Sequence, residues 1–487
     1  MIDQSGGRQG SLNETAAIGE MERILLEQRD AFRRLGPPTL AQRLDRLDRA
    51  ILLLKDFSEE ICAAAAQDFG NRSPHQTLVA DVYTVIASLK FAKANLKRWI
   101  RPEQRPLQLP WGLLGARGEV RFEPLGVVGV VSPWNFPVSL AFTPLAGIFA
   151  AGNSVMIRPS EVAPASAALI AHMIQKGFDR TEAYVVQGGP KIAEAFTRLP
   201  LDHLLFTGST RLGSDVLRAA ADHLVPVTLE LGGKSPVILS PSADFEPSVA
   251  RILFGKTLNA GQVCLAPDYV FVPEGQVDRF ADAAGRAVAA MFPTLKENPD
   301  YTSIINARHH ARLQALLAEA RERGAQIVEL NPAGESFAQQ SAYRMPPTLI
   351  LNPPDDLAVM QEEIFGPILP VKSYSTLDEA LAFIASKPKP LALYYFGRNE
   401  KEIARVLARS SSGGVTINDI AQHVAHESLP FGGVGASGMG RYHGIDGFRT
   451  FSNARTVFRQ TNSEILKVMR APYSAGTLKL LKRLIGK

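Results

Sequence analysis

Cys264 lies in the stretch NAGQVCLAPDYV. Gly261 and Pro267 imply an irregular backbone on both sides of it. A cysteine in such a setting has two uses. The common one is as a small buried hydrophobe. The other is as a nucleophile, which must reach the thiolate form with help from backbone N–H groups or a nearby cation. Cys62, in EEICAAAAQD, follows a helical pattern and fits the first use. A second chemical signal is FTGSTRLG, residues 206–213. It falls where a strand ends and a helix begins. Gly208 allows close backbone approach, and Ser209 can cap the helix while bonding an anionic group at its positive end. A rival, Gly433 to Gly438 in GVGASG, matches the G-x-G-x-x-G spacing. That fingerprint needs a strand before it and a helix starting on its last glycine. Here PFGG precedes it and MGRYHG follows, so it is rejected as a nucleotide site. His309 with His310, and His423 with His426, lack the spacing of a metal-ligand set, so no metal is expected.

The elements that must position these residues show in the periodicity. Residues 13–105 read as helical, with apolar positions through Leu40, Leu44, Leu47, Ile51 and Leu54, and again through Ile86, Leu89, Ala92 and Leu96. Pro102 and Pro106 break the pattern, and GEVRFEP then reads as a short hairpin strand. From Gly126 short apolar runs alternate with helical stretches. VVGVVSP (127–133), SVMIRPS (154–160), AYVVQGG (183–189) and HLLFTGS (203–209) each read as a buried parallel strand. Such alternation is the mark of an open, doubly wound α/β sheet. A second series follows in SPVILS (235–240), YVFVP (269–273), AQIVEL (325–330), LALYYFG (391–397) and GGVTIND (413–419). The fold class is therefore α/β with two such units, plus a last segment that returns to pair elsewhere.

At 487 residues the chain is too long for one core, given roughly 150 residues per domain. Its 46% hydrophobic and 21% charged residues are ordinary for a soluble globular protein. No apolar run reaches the ~18 residues of a membrane span. The first ten residues, MIDQSGGRQG, have no apolar stretch of the secretory type. Two cysteines cannot make a disulfide framework, and a reducing cytoplasm is expected. The net charge of +5 is uneven. Residues 455–487 hold eight Lys or Arg against one acid, Glu464, so the tail carries +7 and the rest about −2. The basic balance marks a tail and does not point to nucleic acid.

PWNFP (133–137), FTGSTRLG (206–213), LELGGKSP (229–236), GQVCLAP (261–267) and EEIFGPILP (362–370), in this order and spacing, resemble the aldehyde dehydrogenase superfamily. The resemblance covers residues 20–460. It implies a Rossmann-like NAD(P)-binding domain at 1–107 and 125–230 and a catalytic domain at 231–418. An oligomerisation hairpin and C-terminal extension follow at 108–124 and 419–487. Cys264 is then the nucleophile that forms a thiohemiacetal and later a thioester. Asn135 is the side-chain oxyanion donor beside the Cys264 backbone N–H, a role worth about 3–4 kcal/mol. Glu230 is the base that activates water for hydrolysis of the thioester. Glu363 and Phe365 hold the nicotinamide ribose and ring. Trp134, Arg158, Ser160, Glu161, Gly208, Ser209, Gly213 and Leu231 complete the cofactor site. Lys234 is read as structural support.

Residues 418–452, NDIAQHVAHESLPFGGVGASGMGRYHGIDGFRTFS, resemble the class 3 branch of the superfamily, and most of all bacterial coniferyl aldehyde dehydrogenases. That implies a homodimer and an aromatic (coniferyl-like) aldehyde first, a long-chain one second. Phe136, His423, His426 and Phe448 are the candidate pocket residues. One departure is Arg158 in IRPSE, where the family has Lys. Glu161 favours the free ribose hydroxyl of NAD, while a guanidinium can hold a phosphate. NAD is the expected cofactor, with NADP usable. Two other functions remain open: a CoA-acylating relative, which does not need Glu230, and a catalytically silent binding protein on the same fold. In the tail, Leu478, Leu481, Leu484 and Ile485 share a helical face beside Lys479, Lys482 and Arg483. That helix either packs at a dimer edge or meets an anionic membrane surface or the substrate funnel.

Overall fold

The computed structural model describes residues 5–109, 111–338, 340, 342–461 and 470–486. The chain divides into two compact units, Met1–Trp99 with Pro124–Ser452, and Ile100–Glu123 with Asn453–Lys487.

Two sheets organise the larger unit. The first has six strands, in spatial order Gly438–Met439, Val227–Leu231, His203–Gly208, Val127–Ser132, Ser154–Pro159 and Ala183–Val185. All pairs are parallel except the first, where Gly438–Met439 runs antiparallel to Val227–Leu231. Ser154–Pro159 is buried along its whole length, and Val127–Ser132 nearly so. Strands covered on both faces read as unbroken apolar runs, which is why these were legible. From Val127–Ser132 the chain builds outward to one side and then returns to build on the other. Strand order therefore reverses between Val127–Ser132 and His203–Gly208, which are direct neighbours. A crevice at the carboxyl ends of the two strands flanking such a reversal is where open α/β sheets bind ligands.

Seven strands make the second sheet, in the order Gln326–Glu329, Thr348–Leu351, Ile368–Tyr374, Tyr269–Pro273, Pro236–Leu239, Ala392–Phe396 and Gly414–Ile417. Only the edge strand Gln326–Glu329 is antiparallel to its neighbour. Thr348–Leu351 and Ile368–Tyr374 were not read from the sequence. Pro370 argues against a central strand because it lacks an N–H. It is tolerated because pairing with Tyr269–Pro273 begins only at Val371.

The helical N-terminal region is built from separate helices. Leu40–Asp56 opens on a capping box between Thr39 and Gln42, and Ser58–Phe69 ends on left-handed Gly70. A π-helical turn, Leu78–Tyr83, leads into Thr84–Trp99. The helical reading to residue 105 is too long, since Glu103–Arg105 is a strand. Helix Pro137–Ala151, with Pro at its first turn, is almost wholly buried. Gly444–Thr450 packs across it at Gly147, where a Cβ would stand 2.9 Å from the Gly447 carbonyl carbon.

The smaller unit holds a three-stranded sheet, Glu103–Arg105, Arg117–Pro124 and Ser452–Arg459, and helix Ala475–Leu484 capped by Ser474. The sequence reading began the extension at residue 419. In the structure residues 419–452 belong to the larger unit, because Gly438–Met439 joins the first sheet and Gly444–Thr450 packs on Pro137–Ala151. Of the basic tail, residues 462–469 and Lys487 lie outside the described residues. No described helix is long and apolar enough to cross a membrane.

Candidate active site

The loop after Val127–Ser132 carries Asn135, which is 3% exposed. Its Nδ2 donates to the Gln262 carbonyl at 3.0 Å. This ties the end of the first sheet to the segment that presents Cys264. That segment turns sharply, with Asn259 (φ 49°), Ala260 (φ 52°) and Gly261 (φ 73°) all left-handed. Such a run is costly for non-glycine residues and persists only when its surroundings fix it. Gln262 does so. Its Nε2 donates to the carbonyls of Asn259 (2.9 Å) and Ser303 (3.0 Å), and its Oε1 accepts from the Ile305 N–H (2.9 Å). Gly261 is required, since a Cβ there would collide with the Gly366 carbonyl. The Cys264 segment and the segment carrying Glu363 and Phe365 thus meet backbone to backbone.

Glu230 stands near the end of Val227–Leu231, where the chain crosses from the first sheet to the second. It pairs with Gly438, and the Leu231 N–H donates to the Ser437 carbonyl at 3.0 Å. The carboxyl is 3% exposed and neither oxygen has a hydrogen-bond partner. Burial pushes its pKa well above the usual carboxylate range, and the Arg441 guanidinium opposes the shift. Gly432 lines it closely, as a Cβ there would sit 2.8 Å from Oε1. Glu363 is pushed up to about 8, first by burial and then by Asp268; the Gly233 N–H, Lys234 and Arg312 pull the other way. Lys234 braces this region: its Nζ donates to Asp268 and to the carbonyls of Val359 (2.8 Å) and Glu362 (2.9 Å).

Cys264 is partly exposed. Its thiol is pushed up to about 12 by burial, then by the charges of Glu363 and Glu230. Two backbone N–H groups, its own and that of Leu265, act against this by bonding the sulfur. A negative sulfur, or an oxygen bonded to the carbon it attacks, finds donors here already in place. Sequence reasoning missed Tyr442 and Arg441, although the Gly-rich run around them was noted. Tyr442 is 3% exposed and feels Glu230 and Cys264 electrostatically. Tyr394, whose hydroxyl donates to the Leu265 carbonyl at 2.7 Å, feels Cys264 as well.

The phosphate candidate has the expected form. Strand His203–Gly208 leads into helix Thr210–Ala221, and Ser209 caps it by accepting from the Leu212 N–H at 3.4 Å. A Cβ at Gly213 would stand 2.7 Å from the Leu231 side chain, so the glycine lets helix and strand close together. The Ser160 hydroxyl accepts from the Val162 N–H at 3.2 Å. Arg158 is 2% exposed, and its guanidinium is turned inward to Glu161 (3.0 Å) and to the carbonyls of Gly188 (2.6 Å), Gly189 (3.3 Å) and Pro159. Trp134 packs against Phe365, edge to face at 5.3 Å, and Phe365 holds a left-handed backbone (φ 49°). The rejected GVGASG stretch is a bridged turn between Gly435 and Gly438.

The candidate pocket residues are scattered in kind. Phe136 lies half-buried under the Arg72 guanidinium at 4.9 Å. His423 shares a 2.7 Å hydrogen bond with the Thr416 hydroxyl, and burial lowers its pKa to about 4. His426 is exposed. Phe448 differs from the expectation: it is 1% exposed and packs on Trp99 at 5.6 Å, because helix Gly444–Thr450 turns it inward. Among the described residues no cluster of His, Cys, Asp and Glu is placed to hold a metal ion.

Two buried carboxyls, Glu230 and Glu363, thus act on a cysteine held on a donor-rich turn that is tied to the loop after Val127–Ser132. Residues 13–457 match the model of the aldehyde dehydrogenase family, and the chain belongs to that family. It is an aldehyde-oxidising enzyme that yields a carboxylic acid. It is 51% identical to a probable coniferyl aldehyde dehydrogenase of Caulobacter vibrioides, over 98% of this chain and 99% of that one. It is 49% identical to the coniferyl aldehyde dehydrogenase of a Pseudomonas strain, over 100% and 99%. Among solved structures, the substrate-bound AldH of Staphylococcus aureus superposes with a TM-score of 0.89 at 36% identity, covering 95% of this chain and 99% of that one.

The charges around the sulfur can be tested directly. Glu363 in its ionised form raises the thiol pKa, so Glu363→Gln lowers it and increases the thiolate fraction. Near pH 9, about one unit above Glu363, the variant without cofactor should be alkylated at Cys264 roughly three- to tenfold faster than the wild type. Near pH 6, where Glu363 is already protonated, the two rates should agree. Slower alkylation of the variant near pH 9 would mean that Glu363 promotes the thiolate.

Proposed function

We propose that the chain oxidises an aromatic, coniferyl-like aldehyde to its acid, with NAD as preferred cofactor. The observation that carries the mechanism is the buried, unpartnered Glu230 beside Cys264, whose sulfur is met by two backbone N–H groups. The Cys264 thiolate, once its proton has left to solvent, attacks the aldehyde carbon, and the C=O π pair moves onto the oxygen. One N–H of the Asn135 amide is spent on Gln262, and the second meets the oxygen together with the Cys264 N–H. A nicotinamide held by Glu363 and Phe365 would supply the hydride acceptor, and loss of hydride from the carbon bonded to the Cys264 sulfur would leave a thioester on Cys264. Burial raises the Glu230 pKa well above the usual carboxylate range, so its ionised form is a stronger base, suited to take a proton from water. The hydroxide then adds to the thioester carbon and the sulfur departs. A CoA-acylating enzyme has no use for this base, so a buried Glu230 favours hydrolysis.

Several features fit a dinucleotide. The reversal point of the first sheet, the capped start of helix Thr210–Ala221 and Gly208 offer a phosphate cradle. Trp134, Leu231, Glu363 and Phe365 are assigned to the same cofactor in this reading. Arg158 is engaged by carbonyls and Glu161, while the Glu161 carboxylate is 40% exposed. The charge presented outward is therefore negative, which suits a ribose hydroxyl and repels a 2′-phosphate. NADP is a weaker alternative. A betaine aldehyde dehydrogenase of Staphylococcus aureus, 25% identical with a TM-score of 0.81, was solved with NAD+ bound. The aromatic preference rests on the two coniferyl relatives, at about half identity over the whole chain. Phe136 and His423 are the pocket residues we retain.

The chain acts as a cytoplasmic homodimer in this reading. The smaller unit exposes Leu109 (75%), Leu113 (81%) and Phe458 (51%), as expected of an uncovered assembly surface. Helix Ala475–Leu484, with Leu478, Leu481 and Leu484 exposed, is assigned to the dimer edge.

The substrate claim is checked by kcat/KM over aromatic and aliphatic aldehydes with both cofactors. Coniferyl-like aldehydes should exceed acetaldehyde by roughly a hundredfold, and Cys264→Ala should retain below a few per cent of turnover. NAD should exceed NADP, with Arg158→Lys changing the ratio less than about threefold. Preference for acetaldehyde contradicts the substrate class, and reversal of cofactor preference in Arg158→Lys contradicts the role of Glu161. For the tail, flotation with anionic vesicles should not differ between the full chain and one ending at Pro472; loss of flotation on truncation would mean a membrane contact.

A further inference from the structure

The groups that hold Asn135 come from far away in the chain. Arg72 and Asp81 are 1% and 0% exposed and form an ion pair at 2.8 Å. Arg72 uses its other guanidinium nitrogen to donate to the Asn135 carbonyl at 3.0 Å. The same guanidinium lies between two rings, 5.0 Å from Phe69 and 4.9 Å from Phe136. Asp81 accepts from the N–H groups of Val138 (3.2 Å) and Ser139 (2.9 Å). These are the first turn of helix Pro137–Ala151, which has no side-chain cap of its own. One ion pair therefore holds both Asn135, in the middle of PWNFP, and the first turn of the helix that follows. Asn259 Nδ2 adds a second donor to the Asn135 carbonyl at 3.0 Å, from the turn that leads to Cys264.

Asp81 belongs to the π-helical turn Leu78–Tyr83. Such turns are uncommon and frequently mark functional positions. Burying a charged pair is poor value for stability alone, because apolar residues of similar size do as well or better. A pair whose remaining hydrogen bonds all end on Asn135 and the helix turn directly after it is better explained by what that segment does. We propose that Arg72 and Asp81 are positioning residues for the Asn135 amide, fixing it where the oxyanion forms. This rests on the reading of Asn135 as the oxyanion donor.

The test is a double-mutant cycle read by the single-turnover rate of NADH formation. Arg72→Lys keeps the charge opposite Asp81 but has no fork to reach the Asn135 carbonyl as well. Arg72→Met/Asp81→Asn removes both charges together and leaves no buried ion unpaired. Each should slow the single-turnover phase roughly tenfold or more, the scale of a small misplacement at a reacting centre. The NAD dissociation constant and the alkylation rate of Cys264 should stay as in the wild type. In an Asn135→Ala background the same changes should cost less than about twofold, because the group they position is gone. Equal losses in both backgrounds would overturn the proposal and make the pair a general support of the fold. Wild-type rates in both variants would also overturn it while leaving Asn135 in place. A wild-type rate in Asn135→Ala alone would remove the oxyanion reading itself, and the positioning role with it.

Discussion

Keeping an ionised carboxylate out of water without partners costs far more than the 5–15 kcal/mol by which a protein is stable. Glu230 is buried with both oxygens unpartnered, so it meets this constraint by holding its proton more tightly. Glu363 and the Cys264 thiol, raised by burial in the same pocket, are under the same pressure. The opposing positive charges are few: Arg441 toward Glu230, and Lys234 and Arg312 toward Glu363. Burial therefore disfavours negative charge at all three groups. A chemistry that first needs a thiolate, then an oxyanion, then a hydroxide can use such a pocket, because each anion has little local competition.

The fold holds these groups with backbone more than with side chains. Glu230 sits between the Gly438 pairing and the close approach of Gly432. Cys264 is presented by a left-handed turn whose Gly261 presses on Gly366. In Gly432, Gly438 and Gly261 the missing Cβ is what permits contact, and all three would otherwise clash with a carbonyl oxygen. This explains why the site needs residues 432–438 in the larger unit. They complete the wall around Glu230, although they lie some two hundred positions further along the chain.

The parallel strands were legible because burial on both faces leaves unbroken apolar runs, as in VVGVVS and SVMIRP. Cys264 stood out through the irregular turn around it, and the Ser209 cap through the strand-to-helix transition. What stayed hidden depends on pairing between distant segments. Nothing local in GMGRYHG says that Tyr442 and Arg441 return to Glu230, nor that Gly438–Met439 adds to the first sheet. Pro370 disguised a central strand whose pairing begins one residue later. Phe448 looked like a pocket residue until helix Gly444–Thr450 turned it against Trp99. Arg158 suggested a phosphate ligand, yet its two terminal nitrogens are already engaged by carbonyls and Glu161. A side-chain type in a motif carries its chemistry, whereas the partners it finds are a property of the folded chain.

The division of labour between Cys264 and Glu230 is the centre of this account, and Glu230→Gln separates the two. The variant keeps the shape of the side chain and removes the base. Mixed with NAD and a coniferyl-like aldehyde, it should release a burst of NADH of about one per active site and then stall, with the acyl group detectable on Cys264 by mass. Continued turnover near the wild-type rate would contradict Glu230 as the hydrolytic base. No burst and no acyl adduct, in a variant whose Cys264 is still alkylated normally, would place Glu230 before hydride transfer instead.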